Sequence, residues 1–301
     1  MLSPTETILK NVDILSQHST EEYKYIPRHD KPLPSIERLA EIVELLKSIL
    51  FPGFFGDSIA NQKTLKYHIG MNMERLYILL VEQIHNGICF STKNIVGKDI
   101  KSKASELAIT FIEKIPEIKR LLCTDVKATF DRDPAAKSYG EVIFSYPTVK
   151  ALINHRVAHE LLLLGVPTIP RIISEQAHSE TGIDIHPGAR IGEYFSIDHG
   201  TGVVIGETCV IGNHVRLYQG VTLGAKSFML NDKELPKGIS RHPILEDNVT
   251  IYSNTTVLGC VVIGHDSVIG GNVWLASSVP PYSSILQQKA VEGSFIDGLG
   301  I

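Results

Sequence analysis

The sequence predicts an α+β chain, an all-helical N-terminal domain followed by a solenoid, and three observations predict it. A branched aliphatic residue recurs every six positions: Ile185, Ile191, Ile197; Ile205, Ile211, Leu217, Leu223; Leu245, Ile251, Val257, Ile263, Ile269, Leu275. The fourth residue after an anchor is often small or apolar as well, as at Ala189, Cys209, Val215, Val221, Val249, Val261, Val273 and Val279. The first half instead carries apolar stripes at helical three-four spacing. A period of six suits neither a helix nor independent hairpins. It suits a hexapeptide solenoid, each repeat forming one flat face of a triangular coil. Gly188, Gly192, Gly206, Gly212, Gly264 and Gly270 supply corners, where positive φ or close approach is needed.

The first thirty residues are polar and irregular and read as an arm or an early helix. From Ser35 the pattern turns helical, with Ile36, Leu39, Ile42, Val43, Leu46, Ile49 and Leu50 on one stripe. Ser35 caps it simply, because Arg38 rather than Glu stands at the capping-box position. Pro52-Gly53 ends it. Further helices are expected over 61–84 and 104–122, with Pro116 breaking or kinking the latter. A shorter element near Asp125 and a helix over 148–164 follow, and Pro167 and Pro170 punctuate the approach to the solenoid. The predicted units are a helical domain 1–165, a solenoid domain 180–281 and a C-terminal tail 282–301.

The solenoid departs from its own rule twice. The step from Ile197 to Ile205 is eight, inserting two residues around Asp198-His199-Gly200-Thr201-Gly202. The step from Leu223 to Leu245 is twenty-two, and the polar stretch 226–241 reads as a loop protruding from one corner. Regular architectures break their rule mostly where function requires it.

At 301 residues the chain can bury a large core. A net charge of -4 gives no basic footprint for nucleic acid. No apolar run is long enough to span a bilayer, and the N-terminus lacks the pattern of a signal peptide. The four cysteines are scattered and form no metal-type pair, which suits a reducing cytoplasm.

His199 is the leading candidate for chemistry. It lies in the first irregularity beside Asp198, and Asp184 precedes it by fifteen residues, a little under one coil. A carboxylate on one imidazole nitrogen fixes the tautomer and leaves the other as a base. Arg241-His242-Pro243 closes the long loop, where a guanidinium can clamp a carboxylate or simply face water. Asp133-Pro134-Ala135, taken alone, most often marks an N-cap. His155 and His159 stand four apart without an acid between them, so one packed and one surface histidine is the plainer reading. Cys209 points inward as a small hydrophobe.

These residues resemble a known family. Asp184-Ile185-His186-Pro187, Asp198-His199-Gly200-Thr201-Gly202, Gly206-Glu207-Thr208, Gly220-Val221-Thr222-Leu223-Gly224 and Arg241-His242-Pro243 occur in the order found in serine O-acetyltransferases. Asp133-Pro134-Ala135 and His155-Arg156-Val157-Ala158-His159 look like that family too. The resemblance covers roughly 125–281 well. It implies a left-handed parallel β-helix that forms a homotrimer or a dimer of trimers, with active sites between subunits. It implies acetyl-CoA as co-substrate, no metal, L-serine as acceptor and L-cysteine as feedback inhibitor, in cysteine biosynthesis. By carry-over, His199 is the general base and Asp184 its orienting group. Asp133 and Asp198 hold the amino and hydroxyl ends of serine, Arg241 holds its carboxylate, and His242 assists binding or the oxyanion. Gly224 and Ala225, with Ser253 and Gly271 as weaker alignments, flank the cofactor arm. The turn after Leu223 reads Gly-Ala rather than the family's Gly-Gly, and the N-terminal region is longer than usual. Relatives with a terminal Ile insert that tail into O-acetylserine sulfhydrylase, which the resemblance extends to Ile301.

Three rival readings remain at this stage. A hexapeptide zinc hydratase needs three convergent histidines, for which His186, His199, His214, His242 and His265 exist in other contexts. A related acyltransferase would act on a sugar or another amino acid. A non-catalytic solenoid scaffold leaves both irregularities unexplained.

Overall fold

The computed structural model describes residues 3–25, 31–56, 63–92, 99–226 and 239–288. The tail residue Ile301 and most of the 226–241 loop lie outside the described residues. The early segment is a helix, α1 (Pro4–Leu15), closed by a Ser3/Glu6 capping box, and it buries nothing. In α2 (Ile36–Leu50) the Ser35 hydroxyl accepts the Arg38 N–H at 3.1 Å, the simple cap that the sequence predicts. Next come α3 (Leu65–Ser91) and α4 (Asp99–Arg132).

α4 continues unbroken past Pro116 and absorbs the separate element expected near Asp125. An interior proline costs about 3 kcal/mol. Phe111, Ile115, Ile118 and Leu122 flank it and are buried, each contributing roughly 1.5–3 kcal/mol, so continuing the stripe outweighs the break. α5 (Tyr139–Ser145) and α6 (Pro147–Leu163) follow. Then α7 (Ile169–Thr181) extends the helical part beyond residue 165, with Pro170 in its first turn. That proline starts a helix rather than spacing one from the solenoid.

Among the described residues fourteen short strands, numbered in chain order, form three parallel sheets. Sheet I holds β1 (Asp184–Ile185), β4 (Val204–Ile205), β7 (Thr222–Gly224), β10 (Thr256–Leu258) and β13 (Trp274–Leu275). Sheet II holds β2 (Arg190–Ile191), β5 (Val210–Ile211), β8 (Ile244–Leu245) and β11 (Val262–Ile263). Sheet III holds β3 (Ser196–Asp198), β6 (Arg216–Tyr218), β9 (Thr250–Ile251), β12 (Val268–Ile269) and β14 (Ser284–Ile285), so the coil runs past residue 281.

The six-residue anchors stack on one another. Ile185, Ile205, Leu223, Val257 and Leu275 are register partners in sheet I. Ile197, Leu217, Ile251 and Ile269 do the same in sheet III, and all of these side chains are buried. Both insertions fall at corners and leave the registers intact. The six predicted corner glycines serve close approach rather than positive φ. A Cβ on Gly264, for example, would lie 2.3 Å from the Pro281 nitrogen. The left-handed corner positions fall on residues such as His214, Asn248, Asn254 and Asn272.

Helices and solenoid share one continuous apolar core. They are also locked by Arg156 of α6. It pairs with Asp125 of α4 at 3.0 Å and donates to the carbonyls of Ile191 and Gly192 at the corner between β2 and β3. Asp125 also accepts the Phe195 N–H at 3.1 Å, so this buried carboxylate is fully engaged.

Candidate active site

Two edges of the triangular prism carry the predicted residues. Edge III/I, between sheets III and I, carries the first irregularity. Asp198 ends β3, and the chain then turns through His199 (φ 57), Gly200 (φ 91) and Gly202 (φ 77). A Cβ on Gly200 would strike Ile183 Cδ1 at 2.5 Å, so glycine is required for the bulge to close. The bulge throws His199 outward, with 73% of its side chain exposed. Its Nε2 lies 3.6 Å from Asp198 Oδ1.

The helical part leans against this edge. α4 ends at Arg132, so Asp133 stands over the bulge rather than capping a helix; Ser138 caps α5 instead. Asp133 accepts the Tyr146 hydroxyl at 2.6 Å and the Ala135 N–H at 2.8 Å. These bonds hold its carboxyl below the usual range, the tyrosine contributing most, and push the Tyr146 phenol up to about 12. Arg132 donates to Ser196 Oγ and to the carbonyls of His214 and Val215, fixing the helix end on sheet III. Asp133, Tyr146, Asp198, His199, Arg132 and Arg216 thus line one small pocket.

Asp184 sits in β1, beside Glu175 and His178 of α7, the three groups offering ligand atoms within 4.8 Å of one another. Among the described residues no hydrogen bond or ion pair joins Asp184 to His199. Ser253 and Gly271 fall on edge III/I in the coils below, where the Asn272 N–H donates to the Ser253 carbonyl at 2.9 Å.

Edge I/II carries Arg241, His242, Gly224 and Ala225. Here Thr208 organises the loop end. Its Oγ1 accepts the backbone N–H of Arg241 at 2.9 Å and of His242 at 3.2 Å. The Thr208 N–H donates to His242 Nδ1 at 3.1 Å, and Thr208 Oγ1 lies 2.9 Å from the same nitrogen. Nδ1 is therefore an acceptor, and the neutral ring carries its proton on Nε2. Burial, then the neighbouring Arg241 charge, lower the His242 pKa, which agrees with that neutral form. Gly206 makes room for the ring, since a Cβ there would lie 2.0 Å from His242 Cδ2. Arg241 is paired with Glu207.

Sequence reasoning missed Arg132, Tyr146, Thr208 and Arg216. With the two inserted residues the coil after Asp198 is twenty residues long, which puts Arg216 in register with Ser196 on the strand that ends at Asp198, and that placement is the signal that could have found it. The other histidines do not converge: His214 packs on Tyr194, His265 bonds Asp266, and His186 accepts the Gly188 N–H. His155 is buried, while His159 is half-buried with its Nδ1 2.8 Å from the Pro187 carbonyl.

The bacterial transferase hexapeptide (six repeats) family matches residues 242–277. The plasmid serine acetyltransferase of Synechococcus elongatus is 48% identical over 298 residues, covering 96% of this chain and 93% of that protein. The serine acetyltransferase of Bacillus subtilis is 45% identical over 167 residues, 56% of this chain and 73% of the relative. Among solved structures, serine acetyltransferase isoform 3 of Entamoeba histolytica, in complex with cysteine, superposes with a TM-score of 0.73 at 31% identity. It covers 97% of this chain and 94% of that one. With that identity sustained over nearly its whole length, the chain belongs to the serine acetyltransferases.

Proposed function

We propose that this enzyme transfers the acetyl group of acetyl-CoA to the hydroxyl of L-serine, with His199 as general base. The observation that carries the roles is the division of polar groups between two edges of the prism. A serine hydroxyl is a weak nucleophile at neutral pH and needs a positioned base. His199 takes the hydroxyl proton as the serine oxygen bonds to the thioester carbonyl carbon. The tetrahedral intermediate then expels the CoA thiolate, and the His199 proton passes to that sulfur. Asp133 and Asp198 hold the serine ammonium and hydroxyl end, and Arg241 its carboxylate. His242, neutral with Nε2–H as donor, serves the acceptor carboxylate or the oxyanion. Asp184 orients His199 once the acceptor is bound.

Sheet I lies between the two edges, so one chain cannot fold both around the same substrate. The proposed assembly is a homotrimer. A second copy turned about an axis along the solenoid sets edge III/I of one chain against edge I/II of the next, a head-to-tail contact that closes as a ring. Outward from sheet I stand Asp184 at the first coil and then the uncharged Val204, Thr222, Thr256 and Trp274, of which Val204 and Trp274 are exposed, and this uncharged run suits a face turned toward that axis. The pantetheine arm then runs between Ser253 and Gly271 of one chain and Gly224 and Ala225 of its neighbour. L-cysteine, which differs from serine by sulfur for oxygen, occupies the same groove as an inhibitor. Among the described residues no helix is long and apolar enough to cross a membrane, and a cytoplasmic location is proposed on the sequence reading.

The test is thiol release from acetyl-CoA with and without L-serine, in the wild type and in His199→Ala. Serine-dependent release that falls by about 10²–10⁴ in the variant is expected. Release that survives the substitution refutes His199 as base, and release with a different acceptor only overturns the substrate. The chain is further proposed to bind O-acetylserine sulfhydrylase through Ile301. Deleting Ile301 is expected to abolish co-purification of the two enzymes, and unchanged binding sinks that idea.

A further inference from the structure

Arg216 lies on sheet III and reaches toward the bulge that bears His199. Its Nη2 donates to Asp198 Oδ2 at 2.6 Å and to the Arg132 carbonyl at 3.1 Å. The first contact reaches the bulge, and the second reaches the end of α4, one residue before Asp133. A single guanidinium thus ties the Asp198 carboxylate of the solenoid to the backbone that leads into Asp133 at the end of α4. Beneath it stands an aromatic column: the guanidinium lies 4.5 Å from the Tyr218 ring centroid, and Tyr218 stacks on Tyr252 at 4.7 Å with 13° between planes. Tyr218 is the register partner of Asp198, so successive coils contribute to one stack.

We propose that Arg216, seated on the Tyr218–Tyr252 column, is a positioning residue for acceptor binding, holding Asp198 Oδ2 so that Oδ1 faces the acceptor beside His199. The proposal rests on the reading of Asp198 as an acceptor-binding group. Arginine suits the place because the two N–H bonds of Nη2 reach both oxygens while the planar guanidinium lies against an aromatic ring. Arg216 performs no chemistry itself. Without it, Asp198 loses its arginine partner, and the bulge and the α4 end are no longer referenced to each other.

The experiment compares wild type, Arg216→Gln and Arg216→Lys by steady-state kinetics in both substrates, with unfolding midpoints for Arg216→Gln, Asp198→Asn and the double variant. Arg216→Gln is expected to raise the L-serine KM about tenfold or more while leaving the acetyl-CoA KM within twofold, with Arg216→Lys intermediate. The midpoint shift of the double variant is expected to be smaller than the two single shifts added together. An unchanged serine KM overturns the proposal. So does a parallel loss for both substrates, which marks a merely structural arginine. Failure of the wild type to turn over serine overturns the functional reading instead, and the midpoint cycle then decides the Arg216–Asp198 linkage by itself: additive shifts refute it.

Discussion

The two working edges of the solenoid are built in opposite ways. On edge I/II the histidine is buried and fixed: His242 is 7% exposed, held at Nδ1 by Thr208 and fitted against Gly206, all within the solenoid. On edge III/I the histidine is thrown outward on a bulge, and the groups around it come from both the solenoid and the helical part. The difference teaches how labour is divided. A group that must only present a hydrogen bond gains from a locked tautomer. A base that must reach a substrate and exchange a proton needs freedom, with fixed carboxylates nearby to define where the substrate sits.

The sharpest way to break the contrast is Gly206→Ala. The added methyl cannot coexist with the imidazole, so the ring must leave its Thr208 cradle. If Nε2–H of His242 serves the oxyanion, kcat is expected to fall on the order of 10². The anchor stack on either side stays buried, so a folded variant should be recoverable, and circular dichroism before kinetics checks this. Wild-type kcat in a folded variant would falsify the role of the locked ring.

A milder change probes the other edge. Tyr146→Phe removes one hydrogen bond to the Asp133 carboxylate without touching His199. Hydrogen bonds to charged groups contribute about 1.5–3 kcal/mol, and Asp133 is part-exposed, so the lower end applies. The serine KM is expected to rise roughly tenfold, with kcat little changed. A fall in kcat with constant KM would instead mean that Tyr146 acts on the reaction rather than on the acceptor.

The asymmetry between the edges also explains what the sequence reveals and what it hides. The anchors from Ile185 to Leu275 are legible because each inward position repeats the same burial requirement at a fixed step, and His199 and Arg241 are legible as interruptions of that step. Tyr146 and Arg132 carry no such mark, since their roles depend on where α4 and α6 dock against sheet III. Pro116 and Pro170 mislead for a related reason: local propensity argues for interruption, but buried stripes and first-turn geometry decide otherwise. Asp133, read in isolation as an N-cap, is a bond acceptor for a side chain thirteen residues on.

The smallest expected effect concerns pH. Burial and the Arg241 charge lower the His242 pKa in the folded chain, so in the unfolded chain, where it returns to its ordinary value near 6.5, the group binds its proton first as pH falls. Within that window the unfolded state carries more protons, so stability increases with pH and is lost on acidification from about 6.5 downward. One proton sets a limiting slope of about 1.4 kcal/mol per pH unit. Burial gives His155 and His186 the same sign, so the wild-type curve carries several such contributions, and the informative quantity is a difference. His242→Gln keeps an acceptor for Thr208 and removes one titration. Urea unfolding between pH 5.5 and 7.5 is expected to show a shallower acid decline in that variant, by no more than that one-proton slope. Parallel curves would mean that His242 titrates alike in the folded and unfolded chains, and the locked edge would then differ from the open one in packing but not in charge.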